Sequence, residues 1–234
     1  MIQPTVSAVI PVYNDKAALE NAIPAAIETL EGITDSFELI IAEDASTDGS
    51  YEHALACASR DERIRVLHRS KRLGRGSALT RAARQASGDI FCYFDVDLAT
   101  DIQVLPRLIQ SVADGYDMAI GSRLLPASRI VRSTSREMKS RGYNHLVRLL
   151  LGSRIQDHQC GCKAFERKKL VSILPFIHDT HWFWDTEVLI YFQRNNYPIL
   201  EIPVLWTQGP GTTVKNSDIY AMGRSILSFW WSGR

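Results

Sequence analysis

Long apolar runs are missing from this sequence of 234 residues. No uninterrupted apolar stretch approaches the roughly 20 residues a helix needs to cross a bilayer, which predicts a chain able to sit on a membrane without crossing it. The amino-terminal region offers no basic-then-apolar leader, because its apolar run, residues 6–12, is too short and contains Pro11. Charge of one sign is lacking too: 27 Lys and Arg against 26 Asp and Glu leave a formal net charge of +1. That balance argues against a general nucleic-acid binder, so any polyanion has to be met by a local cluster. Cysteine is sparse. Cys57, Cys92, Cys160 and Cys162 form no paired CxxC sets, and Cys160-Gly161-Cys162 has no second half for zinc, so the thiols read as reduced in a cytosolic protein. Repeats and low-complexity linkers are absent, and 45% hydrophobic with 23% charged residues is ordinary globular composition, which excludes disorder. One domain is expected over residues 1–234, with a specialised part from about residue 121 onward.

What is present is an alternation of two periodicities. Residues 6–12, 37–42, 64–67, 90–94 and 117–120 are short apolar runs of the buried-strand type. Between them, residues 15–30, 51–58, 76–86 and 102–113 carry helical spacing, with Leu19, Ile23, Ile27 and Leu30 on one face of the first. Strand–helix alternation predicts an α/β fold: a mainly parallel central sheet with helices on both faces. Ligands of such sheets gather outside the carboxyl ends of the strands. Tyr13, Asp44, Asp95 and Asp97 all fall at such ends, so four sequence-distant positions are expected to converge on one crevice.

Asp95-Val96-Asp97 follows a core strand directly, and its period-two spacing puts both carboxylates on one side if the extended backbone persists. Such a pair repels itself unless something positive sits there, and two oxygen ligands with open positions suit Mg²⁺ or Mn²⁺ when phosphates complete the shell. The alternatives are local: Asp97 near a helix start with Thr100 and Asp101, and Asp44 closing a turn with Asp48. His178 and His181 have a metal-like spacing but lack a third ligand and read as structural or solvated.

In order along the chain, Ile10-Pro11-Val12-Tyr13-Asn14, Glu43-Asp44-Ala45-Ser46-Thr47-Asp48-Gly49 and Asp95-Val96-Asp97 resemble the motifs of family 2 glycosyltransferases, whose nucleotide-sugar-binding fold is termed GT-A. Gly121-Ser122-Arg123, residues 155–163 and Trp184-Asp185-Thr186-Glu187 extend the resemblance to dolichyl-phosphate sugar synthases, most of all the glucose synthases and next the mannose synthases. The resemblance implies a nucleotide-sugar-binding half at about 1–120 and an acceptor-binding half with membrane-surface elements at about 121–234. It implies an inverting enzyme that moves a hexose, glucose in first place, from UDP-glucose or GDP-mannose to dolichyl or another polyisoprenyl phosphate. A divalent cation and a place on the cytosolic face of a membrane go with it.

The roles it implies are these. Pro11 and Tyr13 line the base pocket, and Asp44 bonds the base or holds its edge. Asp97 is the more direct metal ligand, with Asp95 nearer the sugar and the metal's waters; both count as catalytic. Mannose synthases of this type often carry glutamine where this chain has Ala99, which leaves the shell one side chain short. Arg123, Arg136 and Ser140 match positions that bind the acceptor phosphate, Arg123 as a catalytic group, and guanidinium groups suit a phosphate monoester. The stretch 129–148 holds Arg129, Arg132, Arg136, Lys139, Arg141 and Arg148 with Glu137 as its one acid. This is either a solvated helix face or a landing site for anionic lipid. Glu187, counted catalytic, and Asp185 organise sugar hydroxyls or a basic side chain, and Gln159 and Lys163 lie beside the acceptor pocket. Arg75, between Gly74 and Gly76, lies near the diphosphate, and Lys215 aligns with a lysine of a loop that covers it. Residues 145–151 and 226–231 offer apolar faces beside basic groups, suited equally to a membrane interface or to core packing.

Overall fold

The fold is that of a computed structural model, which describes residues 5–131, 134–208 and 216–233, with backbone alone at 134–136 and 216–219. Strands β1 (Val6–Val12) and β4 (Ile90–Phe94) are buried along their whole length, as is β5 (Met118–Ser122). Continuous rather than alternating apolar runs mark strands covered on both faces. With β2 (Phe37–Glu43), β3 (Ile64–Leu67), β7 (Cys162–Glu166) and β8 (Ile199–Pro203) they form one seven-stranded sheet in the order β3-β2-β1-β4-β7-β5-β8. β1 pairs in parallel with β2 on one side and β4 on the other, so the chain reverses its winding direction there. The two largest clusters of buried side chains sandwich this sheet, one under α1 (Lys16–Glu31), α2 (Ser50–Ala58) and α4 (Leu105–Ala113), the other under α3 (Arg75–Gln85), α6 (Arg167–Ile173) and α7 (Trp184–Arg194). The expected helix at 102–113 begins as a 3₁₀ turn, Ile102–Val104, before α4 takes over with a proline in its first turn.

One strand runs against the others. β7 lies antiparallel between β4 and β5, pairing Phe94 with Cys162 and Ile120 with Lys163. Its amino end therefore meets the carboxyl ends of its neighbours, which carries Cys160-Gly161-Cys162-Lys163 to the edge where the ligand crevice is expected. A second, two-stranded sheet pairs β6 (Arg129–Val131) with β9 (Leu205–Thr207). It holds the segment after the aspartates: Thr207 N donates to Ala99 O at 2.8 Å and Asp101 N to Leu205 O at 3.0 Å.

Outside the sheet, α5 (Thr134–Leu151) and α8 (Asn216–Trp231) pack together around Val147, Ile226 and Phe229. α5 is tied to the body by His158, which is completely buried. Its Nδ1 lies 2.7 Å from Asn144 Oδ1 and its Nε2 2.8 Å from Ser153 Oγ, the pattern of a neutral imidazole that donates to the amide and accepts from the hydroxyl. Burial lowers its pKa from 6.5 to about 3. The unfolded chain takes up that proton first, so His158 costs no stability above pH 6.5 and an increasing amount as pH falls toward 3. Urea unfolding is expected to lose about 2 kcal/mol from this residue between pH 7 and pH 5. His158→Gln should show a correspondingly smaller fall in midpoint over the same interval; equal falls in both proteins would contradict the neutral, buried imidazole.

Candidate active site

Where the winding reverses, the carboxyl ends of β1, β2 and β4 open on a crevice of about 310 Å³. Pro11 and Tyr13 from β1 and the residue after it, Asp44 from the end of β2, and Asp95 and Asp97 beyond β4 all line it, as does Arg75 at the start of α3. These are the six positions expected at the nucleotide end. Asn14, Asp15, Arg72 and Trp182 line it as well, without having been singled out from the sequence. Asn14 and Asp15 follow directly on the end of β1, which was the available signal; Arg72 and Trp182 arrive through tertiary contacts.

Asp44 is buried, and its carboxylate accepts from Leu73 N at 3.0 Å and Gly74 N at 2.7 Å. It thus anchors the loop that carries Arg72 and Arg75. The Arg72 guanidinium lies 3.7 Å from the Tyr13 ring centroid, a cation–π contact across the crevice wall. Gly74 has φ of +103°, and a Cβ there would stand 2.4 Å from Thr180 O, so backbone freedom and lack of a side chain are both used. The loop at 177–183 is thereby pressed onto the start of α3, with Ser77 N donating to Thr180 O at 3.0 Å.

Arg75 is the hub. Its Nη2 and Nε donate to Asp95 Oδ1 at 2.8 and 3.1 Å, and its Nη1 to Asp185 Oδ2 at 2.6 Å. The other oxygen of Asp185 accepts from Lys163 Nζ at 2.6 Å and from the Tyr93 hydroxyl. Desolvation disfavours the charge on Arg75, but Asp95 and Asp185 outweigh it and hold the guanidinium well above its ordinary pKa. Asp185 is buried, which opposes its charge, yet Lys163 and Arg75 keep its carboxyl below the usual range. Asp97 reaches solvent at the crevice mouth, and its Oδ1 accepts from Ala99 N at 3.1 Å. Its pKa is raised, first by desolvation against the crevice wall and then by the charge of Asp95.

Gly161 makes room for this arrangement. A Cβ there would fall 1.7 Å from Asp95 Oδ2, while Gly161 O accepts from Asp95 N at 3.0 Å. Among the described residues no group of three or more His, Cys, Asp or Glu is arranged to hold a metal. Asp95, seated against Gly161, and Asp97, two residues on, both line the crevice, a pair of carboxylates that fits a hard divalent cation whose remaining positions are filled by phosphate oxygens and water.

The positions expected at the acceptor end are placed differently. Arg123 does not line the crevice. Its Nε and Nη2 are bound by Asp157 at 2.7 and 2.8 Å, and its backbone N donates to Asp157 Oδ2 as well, which leaves Nη1 free of that pair. Gln159 donates inward, to Trp182 O and Thr186 Oγ1, both at 3.1 Å. Lys163 is buried on Asp185 and Cys160 O rather than beside an open pocket. Asp185 holds basic side chains and not sugar hydroxyls. Glu187 does neither: its Oε2 accepts from His178 N at 2.9 Å and Asp179 N at 2.8 Å, because it sits in the first turn of α7 and faces the loop before it. Ser140 Oγ is buried without a hydrogen-bond partner among the described residues. Arg136 is on α5 with only its backbone described, and Lys215 lies outside the described residues. The acids Asp157 and Asp185, each inside one of the short motifs, were the available signal for this inner layer, since a buried carboxylate needs a cation.

Comparison with known proteins gives the following. The family model for glycosyl transferase family 2 matches residues 7–174. Glycosyltransferase AglD of Haloferax volcanii is 46% identical over 230 residues, covering 97% of this chain and 37% of that protein. Dolichyl-phosphate beta-glucosyltransferase of Saccharomyces cerevisiae is 29% identical, covering 88% of this chain and 68% of its own length. The present chain thus spans little more than a third of AglD. Glucosyl-3-phosphoglycerate synthase of Mycobacterium tuberculosis, solved with Mn²⁺, UDP-glucose and phosphoglyceric acid, superposes with a TM-score of 0.72 at 22% identity, over 98% of this chain and 79% of the other. That likeness is one of fold.

Replacing Gly161 by Ala is expected to force the Asp95 carboxylate from its cradle. Overpacking at this site should cost roughly 1–3 kcal/mol in urea unfolding, and a crystal structure of the variant should show Asp95 turned away from Arg75. An unchanged Asp95 rotamer would refute the cradle.

Proposed function

The chain belongs to glycosyl transferase family 2, and from that premise we propose that it transfers glucose from UDP-glucose to a polyisoprenyl phosphate of the dolichyl type. The carrying observation is the crevice at the winding reversal, which Tyr13, Asp44, Asp95 and Asp97 line together. The named activity of the yeast relative supports the sugar and the lipid. GDP-mannose is the alternative donor, because Tyr13 and Asp44 offer a ring face and a carboxylate that do not choose between the two bases.

In this reading the base lies against Tyr13 and Arg72, and the diphosphate lies between Arg75 and the aspartates. A divalent cation held by Asp97 with Asp95 supplies electrostatic stabilisation of the leaving diphosphate. The acceptor oxygen attacks the anomeric carbon from the side opposite the leaving group, which converts an α-linked donor to a β-linked product. A phosphate monoester has a second pKa of about 6 and is already largely dianionic near neutrality, so no strong general base is needed. Asp185 and Glu187 suit that chemistry: the first is committed to Arg75 and Lys163, the second to backbone N–H groups. The acceptor enters from the Arg123 side, where Nη1 is the guanidinium edge left free by Asp157.

The lipid reading is supported by the surfaces of α5 and α8. Met138, Arg141, Arg148 and Leu149 are exposed on α5, and Tyr220, Arg224, Leu227 and Trp231 on α8. On α8 these residues are three to four apart, and on α5 Arg141 is three beyond Met138 and Arg148 seven beyond Arg141, two turns, so each helix presents an outward stripe that mixes apolar and basic groups, the composition of a helix lying in a membrane interface. No helix among the described residues is long and apolar enough to cross a membrane. The proposed location is peripheral, on the cytosolic face.

A donor panel assayed with polyisoprenyl phosphate and Mg²⁺ or Mn²⁺ tests the proposal by reading which labelled sugar enters the organic phase. UDP-glucose should deliver label, chelation should abolish it, and Asp97→Asn should lower kcat about 100-fold or more. The rate at saturation should be flat from about pH 7 to 9, as expected when the acceptor's own second pKa, about 6, lies below that range. No transfer from any donor, or intact turnover in Asp97→Asn, would overturn it.

A further inference from the structure

The crevice already holds a cation of its own. Arg75 is bonded to Asp95 through two nitrogens and to Asp185 through the third, so all of its donor nitrogens are engaged on carboxylates. Asp185 is balanced independently by Lys163. Along the crevice, Asp15, Asp44, Asp95 and Asp97 against Arg72 and Arg75 leave a formal excess of two negative charges. A divalent cation arriving alone meets an Asp95 carboxylate already neutralised by the Arg75 guanidinium. A nucleoside diphosphate arriving alone meets that acidic excess and, in Arg75, a guanidinium whose three nitrogens are engaged on carboxylates. Neither ligand is well received without the other.

Resting on the transferase reading above, we infer that Arg75 exchanges partners during loading. In the free protein it neutralises Asp95. When cation and diphosphate bind together, the cation takes over the neutralisation of Asp95 and Asp97, and the guanidinium passes its Nη2 and Nε donors to the diphosphate. The geometry supports such a transfer. Arg75 stands at the first position of α3, directly after Gly74, with its side chain on the crevice wall. Its other anchor, Asp185, keeps Lys163 and Tyr93 when Arg75 moves, so no buried charge is stranded. The consequence is positive coupling between metal and nucleotide, equal in both directions as linkage requires.

The test reads binding rather than turnover. Mn²⁺ is titrated by calorimetry and by the EPR signal of the free ion into the wild-type chain, Arg75→Gln and Arg75→Lys, each with and without saturating UDP. In the wild type, UDP should tighten Mn²⁺ binding roughly tenfold or more. In Arg75→Gln, Mn²⁺ alone should bind roughly five- to tenfold tighter than in the wild type, because a neighbouring positive charge has gone. The enhancement by UDP should shrink by a similar factor, leaving only what direct phosphate coordination supplies. Arg75→Lys, which keeps the charge, should restore weak binding of the metal alone. A merely structural Arg75 gives the opposite sign, with Mn²⁺ binding weakened in Arg75→Gln together with a lower unfolding midpoint. Mn²⁺ binding no tighter in Arg75→Gln, or an unchanged UDP enhancement, overturns the exchange and leaves the transferase reading standing. If Mn²⁺ binds the wild type under neither condition, both fall.

Discussion

A chain of alternating charges, Asp95–Arg75–Asp185–Lys163, holds this molecule's working parts in register. Its members come from the segment after β4, the start of α3, the first turn of α7 and the strand β7. Elements far apart in sequence therefore meet at one electrostatic requirement. Each buried charge has at least one opposite partner, and Asp185 has two, so it stays compensated by Lys163 if Arg75 turns away; a buried member left with no partner would carry a penalty of several kcal/mol. The arrangement leaves Asp97 as the carboxylate that is both exposed and repelled by its neighbour, which is the position from which a cation is best attracted.

The reversed strand β7 is what closes this chain of charges. Had it run parallel to β4 and β5, its amino end would lie at the opposite edge of the sheet and Lys163 would be far from Asp185. Antiparallel insertion brings Gly161 against Asp95 and Lys163 beneath Asp185 in three residues of chain. The same insertion explains the buried cysteines. Cys92, Cys160 and Cys162 fill space in and around the central strands with thiols raised in pKa by burial, as small apolar side chains do.

The acceptor end is organised around a second buried pair, Arg123 with Asp157. Burial opposes the charge of both groups, but their bidentate contact overcomes it and drives Asp157 below, and Arg123 above, the ordinary range. Two of the three guanidinium nitrogens are thereby fixed, so Arg123 presents a single edge in a single orientation. In the proposed reaction this is positioning without much net charge, which leaves the acceptor phosphate nucleophilic. The helices α5 and α8 pack against α7 around Ile190, and their exposed residues carry the mixed apolar and basic stripes.

The sequence by itself determined the parallel α/β core, because buried strands and amphipathic helices are local periodicities written into each segment. It also determined the crevice residues Tyr13, Asp44, Asp95 and Asp97, since they follow closely on strand ends and sheets of this class collect ligands there. Tertiary structure alone decided how the remaining polar groups pair. Arg123, Lys163, Asp185 and Glu187 are each legible as functional-looking residues in short motifs, yet a motif does not say which charge a buried side chain will meet. That depends on strand direction and on contacts spanning up to 110 positions, as between Arg75 and Asp185. Pairing of buried charges is a long-range property, and only the folded chain fixes it.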